Sequence, residues 1–363
     1  MIKKNTKLIL GILPGIIAYI VSTISNNYPD IVEKVYSRGI YPVLTYISYL
    51  NSFIPISTTE LTLYALGLFI VLYFIFIFSA LLKKGKIKFY YFTRRLLYLL
   101  TAISCAVSIF IFGWSLNYSR NTLSKNMELD VQPATVEELI DTCEKLVSEA
   151  NINRKQVCVN DEGIYKLSRS QKEILKDVKL QFKKHAPDFM NIGSDTNVKG
   201  VLTDNLLSIT QTTGIFSPFT YECHVNTDMP DLYFASTAVH EYSHFKGFAR
   251  EDECNFIAWY ITRNSDDVDF KYSGSVLALV HAMNGLYTES KEEYFRIYEM
   301  IDDGIKIDWA AESLYWENFE TDFAQNTNEV YNAYLQSNHV SDGTKSYGRM
   351  VDLIIAMNRK GYL

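Results

Sequence analysis

Polar and apolar positions are unevenly spread along the 363-residue chain. Three long uncharged runs, residues 8–24, 61–82 and 96–116, all fall before residue 117. A helix needs about 20 apolar residues to cross the hydrocarbon of a bilayer, so each run is predicted to be a transmembrane helix. The first is the shortest and carries Pro14, which a membrane helix tolerates. Lys3, Lys4 and Lys7 precede it, as in a signal peptide, but no small-residue cleavage site follows, so we read it as an anchor. Residues 40–57 are apolar and tyrosine-rich but interrupted by Pro42 and Pro55, which suggests an interfacial or re-entrant segment.

Beyond residue 117 the pattern is that of a soluble domain. Residues 134–150 carry apolar residues at helical spacing behind a capping box of Thr135 and Glu138. Residues 170–185 predict a second amphipathic helix. Residues 199–210 and 214–226 have the β-branched and aromatic content of strands. In the latter, Ile215, Phe219, Tyr221, Cys223 and Val225 share one face, with Thr220, Glu222, His224 and Asn226 on the other. Pro218 suits an edge strand, which leaves His224 as a residue exposed on an edge. From about residue 234 helical spacing returns, through 272–287, 290–302, a long helix over 310–336, and 346–360. The expectation is an α+β fold: a three-helix membrane anchor over residues 1–117, then a helix-rich domain over 118–363 with a small sheet before residue 240.

Charge adds topology. The formal charge of -6 comes with no basic stripe, which excludes a nucleic-acid partner. Basic residues gather before the first run and, as Lys83, Lys84, Lys86, Lys88, Arg94 and Arg95, in a loop 83–95 between the second and third. The positive-inside rule puts both in the cytoplasm and everything after Asn117 outside. A crossing by residues 40–57 would reverse the second statement. Cys143, Cys158, Cys223 and Cys254 could form two disulfides in an external domain, but their spacing shows no framework, which favours small buried side chains.

The chemistry concentrates in residues 240–256, HEYSHFKGFAREDECNF. On a helix, His240 and His244 project from one face and can offer two imidazoles to a single tetrahedral ion. Glu241 lies one position round, placed to reach a water rather than the ion, as a general base. Chance gives this three-residue match at roughly the one per cent level for a chain with six histidines. Ala238, Val239, Phe245 and Phe248 surround it, so a merely solvated helix fits poorly. Glu251 and Glu253 compete to be the third ligand. A straight helix would place Glu251 about 10 Å along the axis from His244, so the chain must turn, and Gly247 is suited to end the helix. On a new helix starting near Arg250, Glu251 and Asn255 share a face. Glu251 would then bind the ion while Asn255 fixes a histidine, and Glu253 would point elsewhere. Tyr272 or His281 could polarise a substrate carbonyl; a histidine on an apolar helix is more often a core residue.

HEYSHFKGFAREDECNF resembles the zincin metallopeptidases, and the Glu251…Asn255 pattern is similar to the gluzincin branch. Two features depart from it: the interval to the third glutamate is short, and Asn255 stands where aspartate is usual. More widely, the anchor, SPFTYECHVN, YSG and the terminal DGTKSYGRMVDLIIA resemble a bacterial membrane family catalogued as a domain of unknown function. These likenesses imply a membrane-tethered, zincin-like domain that holds Zn2+ through His240, His244 and Glu251. With the reading of the residues, the expectation is peptide-bond hydrolysis with Glu241 as general base and Tyr272 as the candidate carbonyl-polarising residue, and with a lipid bilayer and a peptide or protein as partners. A zinc-clamped sensor or assembly factor and a cell-wall amidase are the alternatives.

Overall fold

A computed structural model of the chain describes residues 2–83, 85–338 and 349–363. Two compact units emerge: Met1–Arg120 with Ser217–Tyr221, and Asn121–Phe216 with Glu222–Leu363.

In the first unit, three helical stretches are long and apolar enough to cross a membrane: Thr6–Ser25, Thr58–Leu82 and Ile87–Gly113. The first is broken into α1 (Ile2–Leu10) and α2 (Leu13–Ser25). Pro14 explains the break, because it has no N–H for the Leu10 carbonyl and its ring crowds that group. Neighbouring hydroxyls bind carbonyls at the break: Thr101 Oγ1 donates to Leu8 O (2.9 Å) and Ser104 Oγ to Ile12 O (2.8 Å). A Cβ on Gly15 would lie 2.7 Å from Ser104 Oγ, so this helix contact requires glycine. α3 (Thr58–Ser79) turns almost every large apolar side chain outward, the surface a lipid environment favours.

α4 (Gly85–Gly113) begins well before the expected third run. The basic stretch 83–95 is therefore mostly helix rather than loop, because long unbranched lysine and arginine side chains lose little rotamer freedom in a helix. Lys84 lies outside the described residues. Residues 40–57 form only the short helices Tyr41–Leu44 and Tyr46–Asn51 and no span. A buried ion pair anchors the end of this unit, with Arg120 Nε and Nη2 each 2.8 Å from a Glu33 carboxylate oxygen. Residues 217–221 belong here through Tyr221 Oη donating to Gly113 O (2.6 Å) and Asn51 Nδ2 donating to Thr220 O (2.7 Å).

The second unit is helix-dominated. α5 (Val136–Arg154) starts at the expected capping box, with Glu138 N donating to Thr135 Oγ1 (3.3 Å) and Thr135 N to Glu138 Oε2 (2.9 Å). The hairpin β1 (Cys158–Val159) and β2 (Tyr165–Lys166) precedes α6 (Gln171–His185). A three-stranded sheet follows, from β3 (Lys199–Gly200), β4 (Gly214–Ser217) and β5 (Glu222–Val225), in the order β3-β5-β4 with β3 parallel to β5.

Two strand expectations change. Only two residues of 199–210 are strand, and Asp204–Ile209 is helical. The 214–226 stretch folds back at Pro218 into two strands, closed by Asn226 N donating to Thr213 O (2.8 Å). Pro218 is a turn residue, β4 is the edge strand, and β5 is central and buried throughout. His224 is accordingly buried, not exposed, 3.7 Å from Glu222 Oε2.

Next come α7 (Phe234–Phe245), α8 (Glu251–Arg263) and α9 (Val268–Glu289). α7 packs on β5, where Cys223 Sγ donates to Glu241 O (3.3 Å). Phe245, Phe256, Trp259 and Phe270 fill the core around these helices. The long helix expected over 310–336 is two, α10 (Asp303–Glu317) and α11 (Asp322–Ser337). Thr321 accepts from Ala324 N and starts the second, a cap that competes with a continuous helix. α12 (Met350–Arg359) ends the chain's helical content, and the part of the expected helix over 346–348 lies outside the described residues. All five cysteines are free thiols, with Cys143, Cys223 and Cys254 buried and Cys158 exposed.

Candidate metal centre

The turn after α7 folds the third carboxylate back onto the histidines. Gly247 sits at φ 86°, in the left-handed region that favours glycine. Phe248 N donates to Ser243 O (3.2 Å) and Gly247 N to His244 O (2.8 Å), the two bonds of a Schellman motif. α8 begins four residues later, with Glu251 as its first residue. The same turn presents the Phe248 carbonyl to His244.

His240, His244 and Glu251 form a group whose ligand atoms all lie within 4.8 Å of one another. Nε2 of His240 is 3.1 Å from Nε2 of His244 and 3.1 Å from Oε2 of Glu251, and the His244 to Glu251 separation is 3.5 Å. Ligands at about 2.0–2.1 Å from a tetrahedral ion stand about 3.3–3.4 Å apart, so the triangle has the size of three ligands around one small ion.

The hydrogen bonds behind the ring nitrogens fix what faces inward. His244 Nδ1 lies 2.8 Å from Phe248 O, and a carbonyl has no hydrogen to give, so Nδ1 donates. His240 Nδ1 donates to Asn255 Oδ1 at 2.7 Å. A neutral imidazole that carries its hydrogen on Nδ1 presents a lone pair at Nε2. Two lone pairs and a carboxylate therefore converge, an arrangement that repels itself until a cation or proton sits between them. Burial works against charge on Glu251, but once a proton sits among the ring nitrogens, the charge and hydrogen bonds of the two histidines outweigh it and hold the carboxyl well below its usual range. The other oxygen, Oε1, accepts from Tyr331 Oη at 2.6 Å.

Glu241 is buried, and among the described residues its carboxylate has no hydrogen-bond partner. Burial pushes its pKa up to about 7, with the histidines pulling it down and Glu251 raising it. β4 lies against it: a Cβ on Gly214 would stand 2.6 Å from Glu241 Oε1.

A family model described as a protein of unknown function, DUF3810, matches residues 36–355. The chain belongs to the DUF3810 family. The matched span contains every residue of the cluster. No curated protein and no solved structure matches the chain.

In this DUF3810 member the remaining sequence candidates fall elsewhere. Tyr272 is fully buried with its hydroxyl bonded to Asp308, so the structure gives that hydroxyl a partner outside the cluster. Its ring packs on Tyr165, in a network where Arg154 Nε also reaches Asp308 (2.7 Å). A tyrosine deep in an apolar helix needs an acceptor, and Asp308 supplies it. Glu253 points away, accepting from Leu123 N (2.7 Å) and Arg250 Nη1 (2.9 Å). His281 is within electrostatic reach of His240 but holds no hydrogen bond to the cluster. Sequence reasoning missed Tyr331 and Gly214. Nothing marks Tyr331 among 26 tyrosines, whereas Gly214 could have been noticed as a glycine opening a strand segment.

Proposed function

We propose that this DUF3810 member is a membrane-anchored zinc metallopeptidase whose site-bearing unit lies outside the cytoplasm. One observation carries it: two imidazoles with their Nδ1 atoms already engaged turn lone pairs and a buried carboxylate toward one point, at tetrahedral spacing. Zinc held there supplies a Lewis acid that makes a water acidic near neutral pH. Glu241 supplies the proton acceptor: its unpartnered carboxylate takes a proton from the attacking water and returns it to the leaving amine nitrogen. Asn255 and the Phe248 carbonyl keep both rings in the tautomer that binds a cation. β4, an edge strand that starts against Glu241, suits a substrate bound as an extended strand, and this makes a polypeptide the favoured substrate class. The lysines before the first span and the basic start of α4 support an external second unit by the positive-inside rule.

Burial supports a second reading. The side chains of His240 and His244 are only 12% and 11% exposed, as in a closed structural zinc site of a sensor or assembly factor. Metal analysis of the full-length protein in detergent, beside hydrolysis of unfolded protein substrates, separates the two. The peptidase expectation is about one zinc per chain, lost in His240→Ala and kept in Glu241→Gln, with hydrolysis falling about a hundredfold or more in the latter. Hydrolysis unchanged in Glu241→Gln would overturn the mechanism. Zinc without hydrolysis by the native protein leaves the structural clamp, and no zinc removes both.

A further inference from the structure

A cavity of about 630 Å³ lies where the start of α5, the end of α9 and the start of α12 meet in the second unit. None of the residues proposed to bind zinc lines it. Its volume falls in the range of small-molecule sites, about 300–1,000 Å³.

Its lining is asymmetric. Leu139, Val351 and Ile355 supply apolar wall. Glu289 and Asp352 stand exposed at the mouth; neither carboxylate makes a hydrogen bond or close ion pair among the described residues, and Arg349 and Arg359 act on Asp352 only electrostatically, from outside the lining. No lysine or arginine lines the cavity. His281 is largely buried, lines the same space, and has no hydrogen-bond partner for either ring nitrogen among the described residues. Its ring nitrogens are open to the space, where a ligand can reach them. Burial, helped by His240, pulls its pKa down to about 4, so it is neutral, with one donor and one acceptor.

Gly285 keeps the space open. It lies inside α9, where glycine costs about 1 kcal/mol relative to alanine. A Cβ there would meet only Leu139 Cδ2, at 4.0 Å. No packing contact requires glycine at this point, so the space beside it is open to a larger side chain or a ligand.

From the cavity, its acidic mouth and the unpartnered His281, we infer a second binding site that takes a small organic cation with an apolar body and an amide-like polar group. The apolar wall receives the body, Glu289 and Asp352 meet the positive charge, and His281 pairs with the amide. This site stands independently of the metal reading, since its test measures neither metal nor hydrolysis.

The test is calorimetric titration of the full-length protein in detergent with N-benzoyl-arginine amide and with the uncharged N-benzoyl-citrulline amide. The arginine compound is expected to bind saturably, and the citrulline compound about tenfold or more weaker, as loss of a charge-assisted contact implies. Asp352→Asn combined with Glu289→Gln should erase that preference. Gly285→Leu should fill the cavity and abolish binding, while Gly285→Ala should preserve it. Equal affinity for the two compounds, binding that survives Gly285→Leu, or no binding of either at the solubility limit would each overturn the site. If Gly285→Leu fails to fold, the charge-pair variant decides.

Discussion

Glu312 shows what a single buried carboxyl contributes. On α10 its Oε1 accepts from Trp316 Nε1 at 2.7 Å, while Oε2 is buried without a partner. Burial raises its pKa to about 7, against a pull downward from Trp316. The folded state therefore holds this proton more tightly than the unfolded chain, whose glutamates titrate near about 4.3. The resulting stability is fully present below the unfolded pKa and is lost as pH rises through the folded value. Thermal melts should show Glu312→Gln more stable than the native protein at pH 8, with the advantage shrinking as pH falls and gone by about pH 4. An advantage independent of pH would show that the carboxyl is not the cause. Nothing in the sequence signals this group, because Glu312 sits in a helical pattern where a glutamate reads as exposed. Its burial arises from the fold around α10, not from local spacing. Glu251 was legible for the opposite reason: a fixed ligand distance, an axial rise and one glycine together demanded the turn that the Schellman motif makes.

At the scale of elements, the helices and the presence of a small sheet before the motif were readable, and the bounds of its strands were not. Thr135 with Glu138 announces α5 through local hydrogen bonds, and the amphipathic spacing of 170–185 announces α6. β3 and β5 pair across more than twenty residues, so neither could be bounded from its own composition. Pro218 was read as an edge-strand residue because its missing donor fits an edge as well as a turn. The packing of β4 on α7 makes a sharp test. Gly214→Ala would set a methyl 2.6 Å from Glu241 Oε1, closer than real contacts allow, so the carboxylate must move. Under the peptidase reading, the variant should keep its zinc and melt within a few degrees of the native protein. Its kcat should fall about a hundredfold, the loss that small misplacements of catalytic groups produce. Hydrolysis at the native rate would show that β4 does not set the position of Glu241.

The whole molecule divides at Arg120 and again around residues 217–221, so the chain leaves the second unit and returns to it. No single cut separates the two. A fragment of residues 121–363 keeps the second unit but strips Tyr221 of Tyr41, 6.0 Å away between ring centroids, and of the Gly113 carbonyl. Losing a buried aromatic's surroundings typically costs about 3 kcal/mol or more. The fragment, compared with the full chain in the same detergent, should therefore aggregate or be cut quickly by protease near residues 217–221. A fragment as protected there as the full chain would contradict this.

The same detour has a consequence in time. Synthesis runs from the N-terminus, so the apolar helices emerge from the ribosome first. Yet Gly113 receives its Tyr221 hydroxyl only after 108 further residues have been made. A helix translated ahead of the whole second unit is thus finished only late, and its completion reports that the chain has been read at least as far as the central strand beneath which the histidine helix will pack.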